Sequence, residues 1–179
     1  RLFVRLAEPV ERGQSVQVSI SYIGPMTQGI KASMPDVYFT ELGPWAWYPR
    51  NVHPDRFASR VEAHLPRYMR AVAPGNLEEE RKEKDGWHFV FAEPSGVANL
   101  TLVVGDLIRT PDEEHGANPK IVVWYALGQE KELKNATKPN RQMLEFVSAV
   151  WGPYPYSTLH VIENRPYPYR NWQLSGDSL

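Results

Sequence analysis

Residues 78–104 read EEERKEKDGWHFVFAEPSGVANLTLVV, and this stretch decides the fold class. Its first eight residues, Glu78 to Asp85, hold four Glu, two Lys, one Arg and one Asp, which predicts a solvated hairpin region ending at Gly86. Trp87, Phe89 and Phe91 then alternate with His88 and Val90. That period of two puts one set of side chains on one face of a strand. Glu93 to Gly96 reads as a turn, and the more continuously apolar Leu100 to Val104 reads as a central strand on its far side.

The same period recurs on either side. Arg60 to Leu65 places Val61, Ala63 and Leu65 inward until Pro66 closes the run, and Val72 to Leu77 restarts after a turn. Upstream, Val16, Val18, Ile20 and Tyr22 share one face opposite Gln17, Ser19 and Ser21, predicting a half-buried strand that Gly24-Pro25 ends. Val37 to Phe39 reads as a short strand leading into Leu42 to Arg50, an aromatic, proline-bracketed segment expected to lie irregularly across a sheet. Ile121 to Ala126 adds another strand. At least six strands are enough for two packed layers, so the expectation is a mainly β chain forming an antiparallel β-sandwich.

Beyond Pro139 the period changes. Met143, Leu144, Val147, Val150 and Trp151 recur at intervals of three and four, the apolar face of an amphipathic helix that Gly152-Pro153 stops. His160 to Glu163 is strand-like, giving a short α/β segment after the sandwich. The expected division is a β domain over 1–127 and, over 128–179, a linker with the incomplete start of a second domain.

Composition agrees with short strands and many turns. The chain has 179 residues, 42% apolar and 23% charged, with 16 prolines and 12 glycines. A net charge of -1 with no free-standing basic block gives no footprint for nucleic acid or an anionic membrane surface. No apolar run approaches the roughly 18 residues of a membrane-spanning helix. The absence of cysteine excludes disulfides, cysteine nucleophiles and thiolate-ligated metals. A chain opening at Arg1 is expected to be a piece of something larger.

Catalytic patterns are missing as well. His53, His64, His88, His115 and His160 stand more than ten residues apart, with no His-Glu-x-x-His to set two imidazoles one helical turn apart on a zinc ion. There is no Gly-x-Ser-x-Gly elbow, so Ser95-Gly96 reads as an ordinary turn, and no phosphate-binding or dinucleotide glycine pattern occurs. Glu78, Glu79 and Glu80 alternate faces on a strand and read as solvated charge rather than a calcium site. Trp45, Trp47 and Tyr48 suit either a carbohydrate or peptide surface, or core and interdomain packing. The second is favoured because large rings bury much area and need one polar partner each. Tyr154 and Tyr156 carry the same two readings.

Several segments, in order, resemble the N-terminal part of the M1 family of zinc aminopeptidases, in its aminopeptidase N-like branch. They are Val18 to Gly24, the Trp47-Tyr48-Pro49 triplet, Val61 to Pro66 with Val72 to Leu77, Trp87 onward with Leu102 to Leu107, and Leu144 to Leu159 around Gly152-Pro153-Tyr154-Pro155-Tyr156. The resemblance implies a saddle-like β domain packed on a thermolysin-like catalytic domain of the same parent chain. It also implies zinc and a peptide substrate for that parent, and no cofactor or catalytic residue in this portion. Trp45, Trp47, Tyr48, Tyr154 and Tyr156 become candidates for interdomain packing. Where the family carries Gly-x-Met-Glu-Asn, this chain reads Glu163-Asn164-Arg165-Pro166-Tyr167-Pro168-Tyr169-Arg170. That departure keeps open a noncatalytic interaction scaffold, beside an independent carbohydrate- or peptide-binding sandwich.

Overall fold

The structure is a computed structural model that describes residues 5–23, 39–42, 47–49, 55–110, 118–126, 131 and 135–162. Its best-formed unit grows from the stretch that reads most clearly in sequence. Strand β2 (Phe57–Pro66) buries Val61 and Ala63 and exposes Arg60, Glu62 and His64, as its alternation predicts. Strands β4 (Asn76–Lys82) and β5 (Gly86–Val97) form the charged hairpin, closed by Glu83 N–H on Gly86 O at 2.9 Å. β5 lies between β2 and β4, antiparallel to both. Central position explains why His88 and Val90 on its polar-reading face are buried along with Phe89 and Phe91.

Two expectations about this region are corrected. Pro94 to Gly96 is a bulge within β5 rather than a turn: Phe57 pairs with Val97 and Ser59 with Glu93, so three residues oppose the single Ala58. Gly96 adopts φ +89° there, a value that glycine reaches without strain. The apolar run after it does not pair with β5. It forms β6 (Leu102–Gly105), which lies between β1 (Phe39–Leu42) and β3 (Arg70–Val72) in a second antiparallel sheet.

The chain then changes sheet across one residue, Asp106. Strand β7 (Leu107–Arg109) pairs antiparallel with β8 (Lys120–Ala126), and β8 pairs in parallel with β9 (Thr158–Ile162). Parallel neighbours need a crossover. Helix α1 (Thr137–Trp151) supplies it, packing Leu144 against the sheet. Pro139 is tolerated in its first turn, where N–H groups lack helical partners. Gly152 ends it at φ +98°, its N–H on Ser148 O. The described residues thus form three three-stranded sheets and a helix, where two antiparallel layers were expected. β8 and β9, which lie on either side of the 127/128 division in sequence, share one sheet.

Three apolar clusters join these layers. Val61, Ala63, Phe89 and Phe91 of the first sheet meet Ala71, Ala73 and Leu102 from the second. Val72 and Val103 project the other way, onto Leu107, Val122 and Trp124 of the third. On that sheet's far side, Ile121, Val123 and Tyr125 meet Ala136 and Leu144. The order is therefore sheet, sheet, sheet, helix.

The upstream expectation differs most. Residues 15–23 form no ladder among the described residues, and Val16, Val18, Ile20 and Tyr22 are exposed. Alternation marks a face that could be buried; it does not supply the neighbouring strand that a ladder requires. The Tyr22 hydroxyl donates to Trp47 O and holds the end of the segment. The upstream part of the short strand read at Val37 to Phe39 lies outside the described residues.

Ala71, on β3 of the second sheet, is fully buried in the cluster it shares with Phe89 and Phe91 of the first. Ala71→Leu is expected to overpack that layer and lower stability by about 1–3 kcal/mol, read as a fall in the urea midpoint. An unchanged midpoint would show that the two sheets do not meet there at close-packed density.

Candidate functional site

The polar contacts that draw the third sheet onto the first two converge on the turn between β3 and β4. Gly75 sits in that turn at φ +94°, and a Cβ there would come within 2.8 Å of Glu93 Cβ and closer still to the Ala92 carbonyl. Only glycine lets the turn lie flat on β5. Its carbonyl accepts Nε2–H of His160 at 2.8 Å, while His160 Nδ1 accepts Trp124 Nε1–H at 3.1 Å. Next to it, Asn76 Oδ1 accepts the hydroxyl protons of Ser157, at 3.0 Å, and Thr158. The ring of Phe91 meets His160 edge-on at 5.8 Å.

This arrangement sets the chemistry available to His160. Both ring nitrogens are engaged, one as donor and one as acceptor, which is the neutral tautomer. Burial lowers its pKa first; the Gly75 carbonyl opposes that, and the positive charges of Arg109 and Lys120 add to it. A neutral imidazole committed at both nitrogens is a structural joint, not a general base. Beside it a cleft of about 420 Å³ is lined by Asn76, Glu80, Arg109, Lys120 and Trp124. There Arg109 reaches Glu80 at 3.4 Å and lies 6.0 Å from the Trp124 ring centre.

The aromatic candidates form two ring pairs. Trp47 meets Tyr48 edge-on at 5.3 Å. Trp47 Nε1–H donates to Leu100 O at 3.2 Å, and the Tyr48 hydroxyl accepts Leu100 N–H at 3.0 Å, so the pair holds the backbone of one residue on both sides. Trp47 also packs against the core between the first two sheets. Tyr154 and Tyr156 meet at 5.4 Å, and Arg56 donates at 2.9 Å to both Tyr156 Oη and Gly96 O. Trp45 lies outside the described residues.

The three consecutive glutamates separate as strand geometry demands. Glu78 pairs with Arg60, Glu79 with Arg81, and Glu80 with Arg70 and Arg109. Such exposed pairs contribute at most about 1 kcal/mol each. Histidines distant in sequence do meet once: His64 and His88 are directly paired across β2 and β5, with rings stacked at 4.4 Å. Among the described residues no group of three or more His, Cys, Asp or Glu side chains is placed to hold a metal ion. His160 and Asn76 gave no sequence signal, because their roles come from contacts 85 and 82 positions away in the chain.

Comparison with known proteins finds structural likeness without sequence likeness. No protein-family description matches the chain, and no curated sequence does. Among solved structures, the M1 zinc metallopeptidase from Deinococcus radiodurans superposes with a TM-score of 0.58 at 24% identity, over 75% of this chain and 33% of that one. A variant of that enzyme bound to a Tyr-Ser-Ala substrate gives 0.58 at 24%, over 76% and 33%. A two-domain M1 zinc metallopeptidase variant bound to L-tryptophan gives 0.59 at 23%, over 75% and 33%. At these identities the likeness is one of fold, and the chain spans about a third of the length of the structures it matches.

The lowered pKa of His160 has a signed consequence. The unfolded chain protonates this residue near 6.5, whereas the folded chain resists protonation. The stability it contributes is complete above that value and is lost as pH falls toward the lowered folded value. His160→Gln is expected to flatten the decline of the urea midpoint between about pH 7 and pH 5. A wild-type and variant difference that does not change with pH would refute the neutral joint.

Proposed function

We propose that this chain is the noncatalytic N-terminal β portion, with the beginning of the adjoining unit, of an M1 aminopeptidase-like protein. Its role is to pack against a zinc peptidase domain of the same parent and shape access to its cleft. In this reading the first two sheets face each other as the sandwich of the saddle-like domain, joined by the Ala71, Phe89 and Phe91 cluster. The division between units is proposed at Asp106, since β7, β8 and β9 share one sheet on either side of residue 127.

One observation carries the proposal. On α1 only Leu144 is buried, while Met143, Phe146, Val150 and Trp151 are 67%, 69%, 58% and 74% exposed. An amphipathic helix with one apolar residue buried and four exposed has a second face that water does not favour. The M1 structures of the same fold extend for two thirds of their length beyond the part matched here, enough to cover it. Tyr154 and Tyr156 follow α1 directly, and we assign them, with Trp47 and Tyr48, to holding the two units in register. The zinc and the peptide substrate belong in this reading to the remainder of the parent.

The test uses the parent protein. Stoichiometric zinc and release of N-terminal residues from peptides are expected there. Trp151→Glu combined with Met143→Glu is expected to lower the parent's thermal midpoint by several degrees while changing the stability of residues 1–179 by less than about 0.5 kcal/mol. A parent without zinc or hydrolysis would remove the peptidase assignment. Equal effects in both proteins would remove the packing role.

A further inference from the structure

Glu93 is 2% exposed and has no role in the His160 joint. It flanks the β5 bulge, where one carboxylate oxygen accepts the Ser95 N–H at 2.8 Å. The other, Oε2, is shut off from solvent and has no hydrogen-bond partner among the described residues. A buried carboxylate oxygen left without a donor costs the fold, because neither protein nor water replaces the hydration it gave up. Glu93 also borders a cavity of about 410 Å³ whose walls include Tyr154, Tyr156, Val97 and Val72. The acidity of Tyr154 connects the two. Its hydroxyl is held above the ordinary range first by burial, then by Tyr156 and by the negative charge of Glu93.

The surrounding groups do not supply the missing donor. His160, another wall of the cavity, has committed its one N–H to Gly75. Arg56 directs Nη2 to Gly96 O and Tyr156 Oη rather than to Glu93. We propose that the cavity binds a small organic cation, an amine on an apolar stem, with Glu93 as counter-charge and the Tyr154 ring against the cation, the Tyr156 ring already facing the Arg56 guanidinium at 5.8 Å. Charge selects the class: an anion would meet Glu93 in a low-dielectric wall, whereas a cation gains both the carboxylate and the Tyr154 ring. Apolar walls select the stem. Oε2 itself has no solvent contact, so the cation reaches it only by displacing part of the cavity wall. This inference is independent of the peptidase reading.

The probe is n-butylammonium chloride, with 1-butanol as its neutral counterpart, titrated into residues 1–179 and followed by carbon NMR of glutamate carboxyls and tyrosine rings. Saturable shifts at Glu93 and Tyr154 with a millimolar Kd, the scale of about 4 kcal/mol, are expected for the ammonium and not for the alcohol. Glu93→Gln keeps an acceptor for Ser95 and is expected to weaken binding at least tenfold. Tyr154→Leu is expected to weaken it less. No saturation with the ammonium, equal saturation with 1-butanol, or unchanged affinity in the Gln variant would each overturn the proposal. The first two comparisons need only the wild-type chain, so they stand even where a variant does not fold.

Discussion

The fold depends on a sheet that is buried on both faces. Within three consecutive residues Ala71 and Ala73 face one apolar cluster and Val72 faces another, and on the adjoining strand Leu102 and Val103 divide in the same way. A strand covered on both sides loses the usual polar alternation and reads as continuously apolar. Its small residues matter as much as its large ones. Alanine on the side of Phe89 and Phe91 lets the sheets approach, and valine on the other side fills the space before Trp124.

From that middle layer the chain builds outward in two chemically different ways. The first sheet is attached by apolar contact, and its outer surface is a lattice of exposed Arg and Glu pairs that contribute solubility more than stability. The third sheet is attached by both apolar contact and hydrogen bonds. These hydrogen bonds, part-buried to exposed, run to the Gly75 carbonyl and the Asn76 side chain, so its orientation is specified by direction as well as by apolar contact. That specification extends to α1, which is the crossover between β8 and β9. The exposed face of α1 is therefore presented at a fixed angle to the sheets.

How far the sequence could be read differs by element, for physical reasons. β2 was legible because one face is solvent and the other core, which is the condition under which alternation is informative. The same alternation at Val16 to Tyr22 predicted a strand that the described structure does not form, since periodicity measures a capacity for burial and the neighbour decides whether it is used. The run from Leu102 was recognisable as a strand but was assigned to the wrong neighbour. The Pro94 to Gly96 segment has turn-like residues that serve equally well in a bulge. On α1 the apolar positions were identified, yet only Leu144 is buried against the sheet.

By itself, the sequence determined a β-rich chain with a late helix ended by Gly152, the absence of cysteine and the absence of a His-Glu-x-x-His motif. These are consequences of residue type and local spacing, and need no knowledge of distant neighbours. Tertiary structure alone decided the three-sheet arrangement, the parallel pairing of β8 with β9, the neutral joint at His160 and the Glu93 Oε2 left without a partner among the described residues. Each depends on groups separated by tens of residues along the chain. Burial and hydrogen-bond satisfaction exist only once those groups are packed together, so no local pattern could encode them.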